Sequence, residues 1–125
     1  MSLDVALKQT YVLRTCPCPC QHTYKDPCEA TTLFSANITH NLGRLAEEAG
    51  VYLAVWRPEE AGINQAGQLI EPLSKAVELM KREPDHFRQF NAANGWGTYD
   101  QFLPWLQSYL DACLQHPTAT VSAWR

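Results

Sequence analysis

Val5-Ala-Leu-Lys-Gln-Thr-Tyr-Val-Leu-Arg14 is the stretch on which the fold turns. It mixes β-branched and aromatic residues with polar ones and reads as a strand. At the other end of the chain, Ala119-Thr-Val-Ser-Ala-Trp124 reads as a second. Two strands at opposite ends of a small domain often pair, so one antiparallel ribbon joining the termini is expected. The 125 residues suit a single domain, 1–125, with one core. Hydrophobic residues make up 46% and charged residues 18%, the balance of a globular chain.

Immediately after the first strand comes Cys16-Pro-Cys18-Pro-Cys20-Gln-His22-Thr-Tyr-Lys-Asp-Pro-Cys28, four of the five cysteines within thirteen residues. This segment reads as a cysteine-rich loop over 16–28. A thiol cluster this dense is a metal site, a disulfide site or a set of free thiols stiffened by proline. Zinc takes four sulfur or nitrogen ligands at tetrahedral corners. Cys16, Cys18, Cys20 and Cys28 are the candidate ligands, with His22 or His40 able to replace one of them. The C-x-C-x-C spacing is awkward for one tetrahedron, because alternate side chains of an extended chain stand about 6.5–7 Å apart. Pro17 and Pro19 push the preceding cysteines toward that extended geometry. A bridge from one of the first three cysteines to Cys28 is feasible, whereas a C-x-C bridge is strained.

Composition narrows the setting. The opening Met1-Ser-Leu-Asp-Val-Ala-Leu-Lys lacks the apolar core of a signal peptide, and no run of about 18 apolar residues exists. A cytoplasmic protein without a membrane partner is expected, where thiols stay reduced, and this favours metal over disulfides. The odd cysteine count points the same way. Net charge is −3 and the densest basic run is Lys81-Arg82, which argues against nucleic acid as a partner.

The rest of the chain reads as helices, making the expected fold an α+β domain that is mostly helical. Ile38, Leu42, Leu45, Ala46 and Ala49 fall on one face of a helix starting after Asn37, and Gly50 suits the position past its end. Val51–Trp56 is read as a short helix, 59–65 as a loop and 66–82 as a helix kinked by Pro72. A short helix over 84–90 and a turn over 91–97 follow. Thr98 and Gln101 have capping-box spacing ahead of a helix whose stripe is Phe102, Leu106, Tyr109, Leu110 and Cys113. Pro117 ends it. Cys113 reads as a small core residue.

Two motif strings carry a resemblance. Asn37-Ile-Thr-His-Asn-Leu-Gly43 is followed by Ala46-Glu-Glu-Ala-Gly50 and Trp56-Arg-Pro58. Asn94-Gly-Trp-Gly-Thr-Tyr-Asp100 is followed by Tyr109-Leu-Asp-Ala-Cys113 and His116-Pro117. Together, over residues 37–124, they resemble small bacteriophage and actinobacterial proteins with no established activity. Some of those carry a cysteine pair ahead of the first string, usually as C-x2-C, and the run here departs from that. The resemblance implies a phage or prophage setting and a cytosolic accessory role.

Two functional readings follow. In the first, the protein acts by binding a protein partner, with a structural zinc in the cysteine loop shaping the contact surface. In the second, it binds a small nucleotide-like ligand between the Asn37–Gly50 helix and the Asn94–Gly97 turn. Asn37, Asn41 and Arg44 would grip the ligand and Trp96 would stack on it, since amides and a guanidinium fork hold planar polar groups. Each has a structural counterpart. The polar row can be a solvated face with an Arg44–Glu48 pair, and Trp96 can be a staple folded onto Phe102. No G-x-S-x-G, H-E-x-x-H or P-loop string is present, so no catalytic residue is assigned.

Overall fold

A computed structural model describes every residue except Met1, Cys18 and Ala93. Strand β1 (Ser2–Thr15) runs between β2 (Thr23–Thr39) and β3 (Thr120–Trp124) in an antiparallel sheet of order β2-β1-β3. The helices among the described residues are α1 (Gly43–Glu48), α2 (Tyr52–Trp56), α3 (Ile70–Arg82), α4 (Pro84–Arg88) and α5 (Tyr99–Gln115). Short 3-10 turns precede α1 and α3 and follow α2.

Strand alternation sorts β1 into two faces. Leu3, Val5 and Leu7 are 0–1% exposed and face the helices. Burying each contributes roughly 1.5–3 kcal/mol. Their partners Ile38, Ala36 and Phe34 on β2, and Ala123 and Val121 on β3, extend this face. The opposite face is polar. Asp4 stands opposite Asn37 and Trp124, and Lys8 lies over the Trp124 ring at 4.8 Å. The helices close the core with the predicted stripes Leu42, Leu45 and Ala46, and Phe102, Leu106, Tyr109 and Cys113, joined by Leu73, Val77 and Met80 of α3.

β3 begins opposite Lys8, where the pairing of β1 with β2 also shifts register and leaves Leu33 as an extra residue. Beyond a second shift the hairpin continues as a two-stranded ribbon, from Tyr11↔Pro27 to Thr15↔Thr23. Arg14 pairs with Asp26 across it and Lys25 sits over the Tyr11 ring at 4.7 Å. Pro27 is tolerated because β2 is an edge strand and needs no outward N–H partner.

The mostly helical expectation is therefore corrected. Helices and sheet share the chain, and a 17-residue strand, β2, occupies positions read as cysteine loop and helix start. Its polar, threonine-rich sequence lacks the apolar alternation that marks a strand packed on one face, because its first half lies on no core. The ribbon joining the termini is present as β1–β3, with Asp4 opposite Trp124, but it belongs to a three-stranded sheet. The first helix begins at Gly43, so Asn37 is a strand residue. Pro72 lies in the first turn of α3, where no intrahelical N–H bond is lost. The Thr98–Gln101 capping box forms as expected, and Gly50 adopts φ +75° past α1.

Cys113 tests the core placement. It is fully buried, and burial pushes its thiol up to about 12. The thiolate is the reactive form, so in mildly alkaline buffer a thiol reagent should label Cys16 and Cys28, both free, and reach Cys113 only after unfolding. Peptide mass mapping reads this out. Equal labelling of Cys113 in the native protein would place α5 wrongly.

Candidate binding cleft

The end of β2 and the turn before α5 meet at an open cleft of about 700 Å³ lined by Ser2, Asn37, Thr39, His40, Asn41 and Trp96. Three of the four residues predicted for a ligand site, Asn37, Asn41 and Trp96, are thus together, and His40 joins them.

Each lining group is held by its neighbours. The Asn37 side-chain amide donates to Asp4 Oδ1 at 2.8 Å and to Ser2 Oγ at 2.9 Å, both across the β1–β2 ladder. Its backbone carbonyl accepts from Trp105 Nε1 of α5 at 3.1 Å. Thr39 ends the strand, and its hydroxyl accepts from Asn41 N at 3.3 Å, which starts the turn into α1. His40 Nδ1 accepts from the indole N–H of Trp56 at 3.0 Å. Trp56 is 1% exposed and stacks on Tyr52, so His40 rests on the core.

The far wall is the 94–97 turn. Asn94 Oδ1 accepts from Trp96 N at 3.0 Å, and Asn41 Nδ2 donates to Trp96 O at 2.9 Å. Gly97 has φ +107°, and a Cβ there would lie 3.1 Å from Asn41 Cβ and 3.2 Å from Thr39 Cγ2. Glycine therefore permits both the backbone conformation and the close approach. The Trp96 ring is 71% exposed. It is presented at the cleft and does not serve as a staple.

Arg44 is not among the lining residues. Its guanidinium lies over the Phe90 ring at 5.4 Å. Glu48 is paired with His86 at 3.3 Å, in place of the predicted pair with Arg44. The separation follows from the fold, because Asn37 lies on the strand and Arg44 on the helix. Ser2, Thr39 and the supporting Asp4 were not singled out from sequence. Only the register of β1 against β2 brings Asp4 and Ser2 to Asn37, and without β2 there was no signal for it.

Of the proposed metal ligands, Cys16, Cys20 and His22 lie at the tip of the hairpin, and Cys28 and His40 stand back along it. Cys16 N bonds His22 O at 2.8 Å and closes the turn at its tip. Cys20 is disulfide-bonded, with Sγ 3.2 Å from His22 Nδ1. Cys28, one residue past the Tyr11↔Pro27 pair, stands about 15–20 Å back along the ribbon from Cys16 at the strand rise. His40 follows the Ser2↔Thr39 pair at the opposite end of the ladder, on the order of 40 Å away by the same rise. Cys18 lies outside the described residues. Among the described residues no group of three or more His, Cys, Asp or Glu side chains is close enough to hold a metal ion. Nor is any described helix long and apolar enough to cross a membrane.

Two glycine substitutions separate the requirements of the far wall. Gly62 has φ +73° with nothing within 4 Å of an added Cβ, so Gly62→Ala should cost about 1–2 kcal/mol from the backbone alone. Gly97→Ala adds the clash, a further cost of about 1–3 kcal/mol, and should shift the Trp96 indole resonance. Urea unfolding and a ¹H–¹⁵N spectrum measure both effects. Equal costs for the two variants would contradict the tight approach.

No family model matches the chain, and no curated protein or solved structure does either.

Proposed function

We propose that the protein acts by binding a small planar polar ligand in the cleft between the end of β2 and the Asn94–Gly97 turn. Its setting is the phage-type cytoplasmic accessory role that its motif strings resemble. The observation that carries the reading is the exposed Trp96 ring on the rim of a cleft walled by amides, hydroxyls and an imidazole. A concave site with an aromatic face and a few fixed polar groups is the usual form of a small-molecule site. The indole supplies a stacking face, and the polar groups orient what is stacked.

The alternative, a zinc-shaped protein-contact surface on the cysteine segment, has less support. Cys28 and His40 stand away from the tip that holds Cys16 and His22, and Cys20 is already bonded.

A ¹⁵N-labelled sample titrated with planar heterocycles such as adenosine and uridine tests the reading. Amide shifts should cluster at His40, Asn41 and Trp96. Stacking of a base on an aromatic side chain is worth about 1–3 kcal/mol, so Trp96→Ala should weaken binding about tenfold. Because the ring is exposed, the same change should alter stability by no more than about 0.5 kcal/mol. Shifts confined to another surface, such as the groove between Tyr11 and Pro117, would reject the cleft.

A further inference from the structure

The hydrogen bonds that hold the cleft together fix the polarity of its amides and its imidazole, while the Ser2 and Thr39 hydroxyls each accept one bond and keep an O–H that can turn to a ligand. Asn37 Nδ2 faces the Asp4 carboxylate and the Ser2 hydroxyl. An ionised carboxylate only accepts, so the nitrogen must be the atom that faces it. Both Asn37 amide protons are then engaged, and Oδ1 is left as an acceptor. Asn41 faces the Trp96 carbonyl, which also only accepts. Its Oδ1 is therefore left as a second acceptor. The Trp56 indole N–H can only donate, so His40 Nδ1 accepts and the neutral ring carries its proton on Nε2. His40 thus offers a donor.

Charge narrows the ligand further. Arg44, the cation predicted to grip an anion, lies over Phe90 and not in the lining. Among the described residues, the charged side chain bonded to the lining is the carboxylate of Asp4. A phosphate or carboxylate would meet amide oxygens and a nearby negative charge.

We infer that the cleft selects a planar heterocycle bearing an exocyclic amino group beside a ring acceptor, in uncharged or cationic form, as in a free adenine- or cytosine-type base or nucleoside. The inference rests on the cleft reading above and narrows its nucleotide-like ligand to the base. An amino group presents two N–H donors for the two amide oxygens. The adjacent ring nitrogen or oxygen suits the His40 donor, and adenine and cytosine both carry this pattern. Oxo analogues such as hypoxanthine or uracil replace the amino group by an acceptor, which would face the amide oxygens lone pair to lone pair. A site built around a donor discriminates against analogues lacking it, because its own acceptors are left unpaired.

The test is a titration with adenosine, cytidine, inosine, uridine and adenosine monophosphate, followed at the Trp96 indole signal. Trp96→Phe assigns that signal by its loss. Adenosine and cytidine should bind at least about tenfold more tightly than inosine and uridine, the scale set by an unpaired buried partner. The monophosphate should bind no more tightly than adenosine. Asn41→Ala, which removes that acceptor along with the bond to Trp96, should erode discrimination against the oxo nucleosides. Oxo nucleosides binding as tightly as amino ones, or a monophosphate binding more tightly, would overturn the inference while leaving the cleft as a stacking site. Failure of all five to move Trp96 would remove both.

Discussion

The whole arrangement depends on β1 being paired on both edges while its side chains alternate between core and solvent. Leu3, Val5 and Leu7 enter the core on one face, and Ser2 and Asp4 stand on the other. A slip of one residue would exchange the faces and turn three large apolar side chains into water. At roughly 1.5–3 kcal/mol each, their burial is comparable to the total stability of a small domain. The same register puts Asp4 opposite Asn37 and Ser2 opposite Thr39. Core packing and cleft chemistry are thus two consequences of one pairing.

The two amides and the imidazole of the cleft each have a partner of one possible polarity. A carboxylate, a backbone carbonyl and an indole N–H each fix the orientation of the residue they touch. Trp105 adds a tie from α5 to the Asn37 carbonyl, and Gly97 lets the turn come within contact of Thr39 and Asn41. A site held this way is preorganised, so a ligand meets fixed groups and orders little on binding.

Much of this was legible in the chain, and the unreadable part has a physical cause. The helical stripes were readable because apolar residues recur at helical spacing against a single core, as in Phe102–Cys113. β1 and β3 were readable from their mix of β-branched and aromatic residues. β2 was not. Thr23–Thr32 lies on an exposed ribbon and shows no face preference, and its cysteines and prolines suggest a loop. The apolar Ile38 fits the pattern of the following helix as well as that of the strand, so periodicity alone starts the helix too early. A helix from Asn37 would carry Asn37 and Arg44 on one surface, whereas the strand-to-turn junction sends them to different places. Trp96 was singled out from its two flanking glycines, but its exposure comes from the tertiary approach at Gly97, which no local pattern records.

The claim that the amides and imidazole of the cleft have a fixed donor and acceptor pattern is tested most directly at His40. A long-range ¹H–¹⁵N spectrum of the imidazole, taken at about pH 8 where an ordinary histidine is neutral, reads the tautomer. The account predicts a proton on Nε2 with Nδ1 accepting, and a Trp56 indole N–H that exchanges far more slowly than that of Trp96. A proton on Nδ1, or indole exchange equally fast at Trp56 and Trp96, would contradict it.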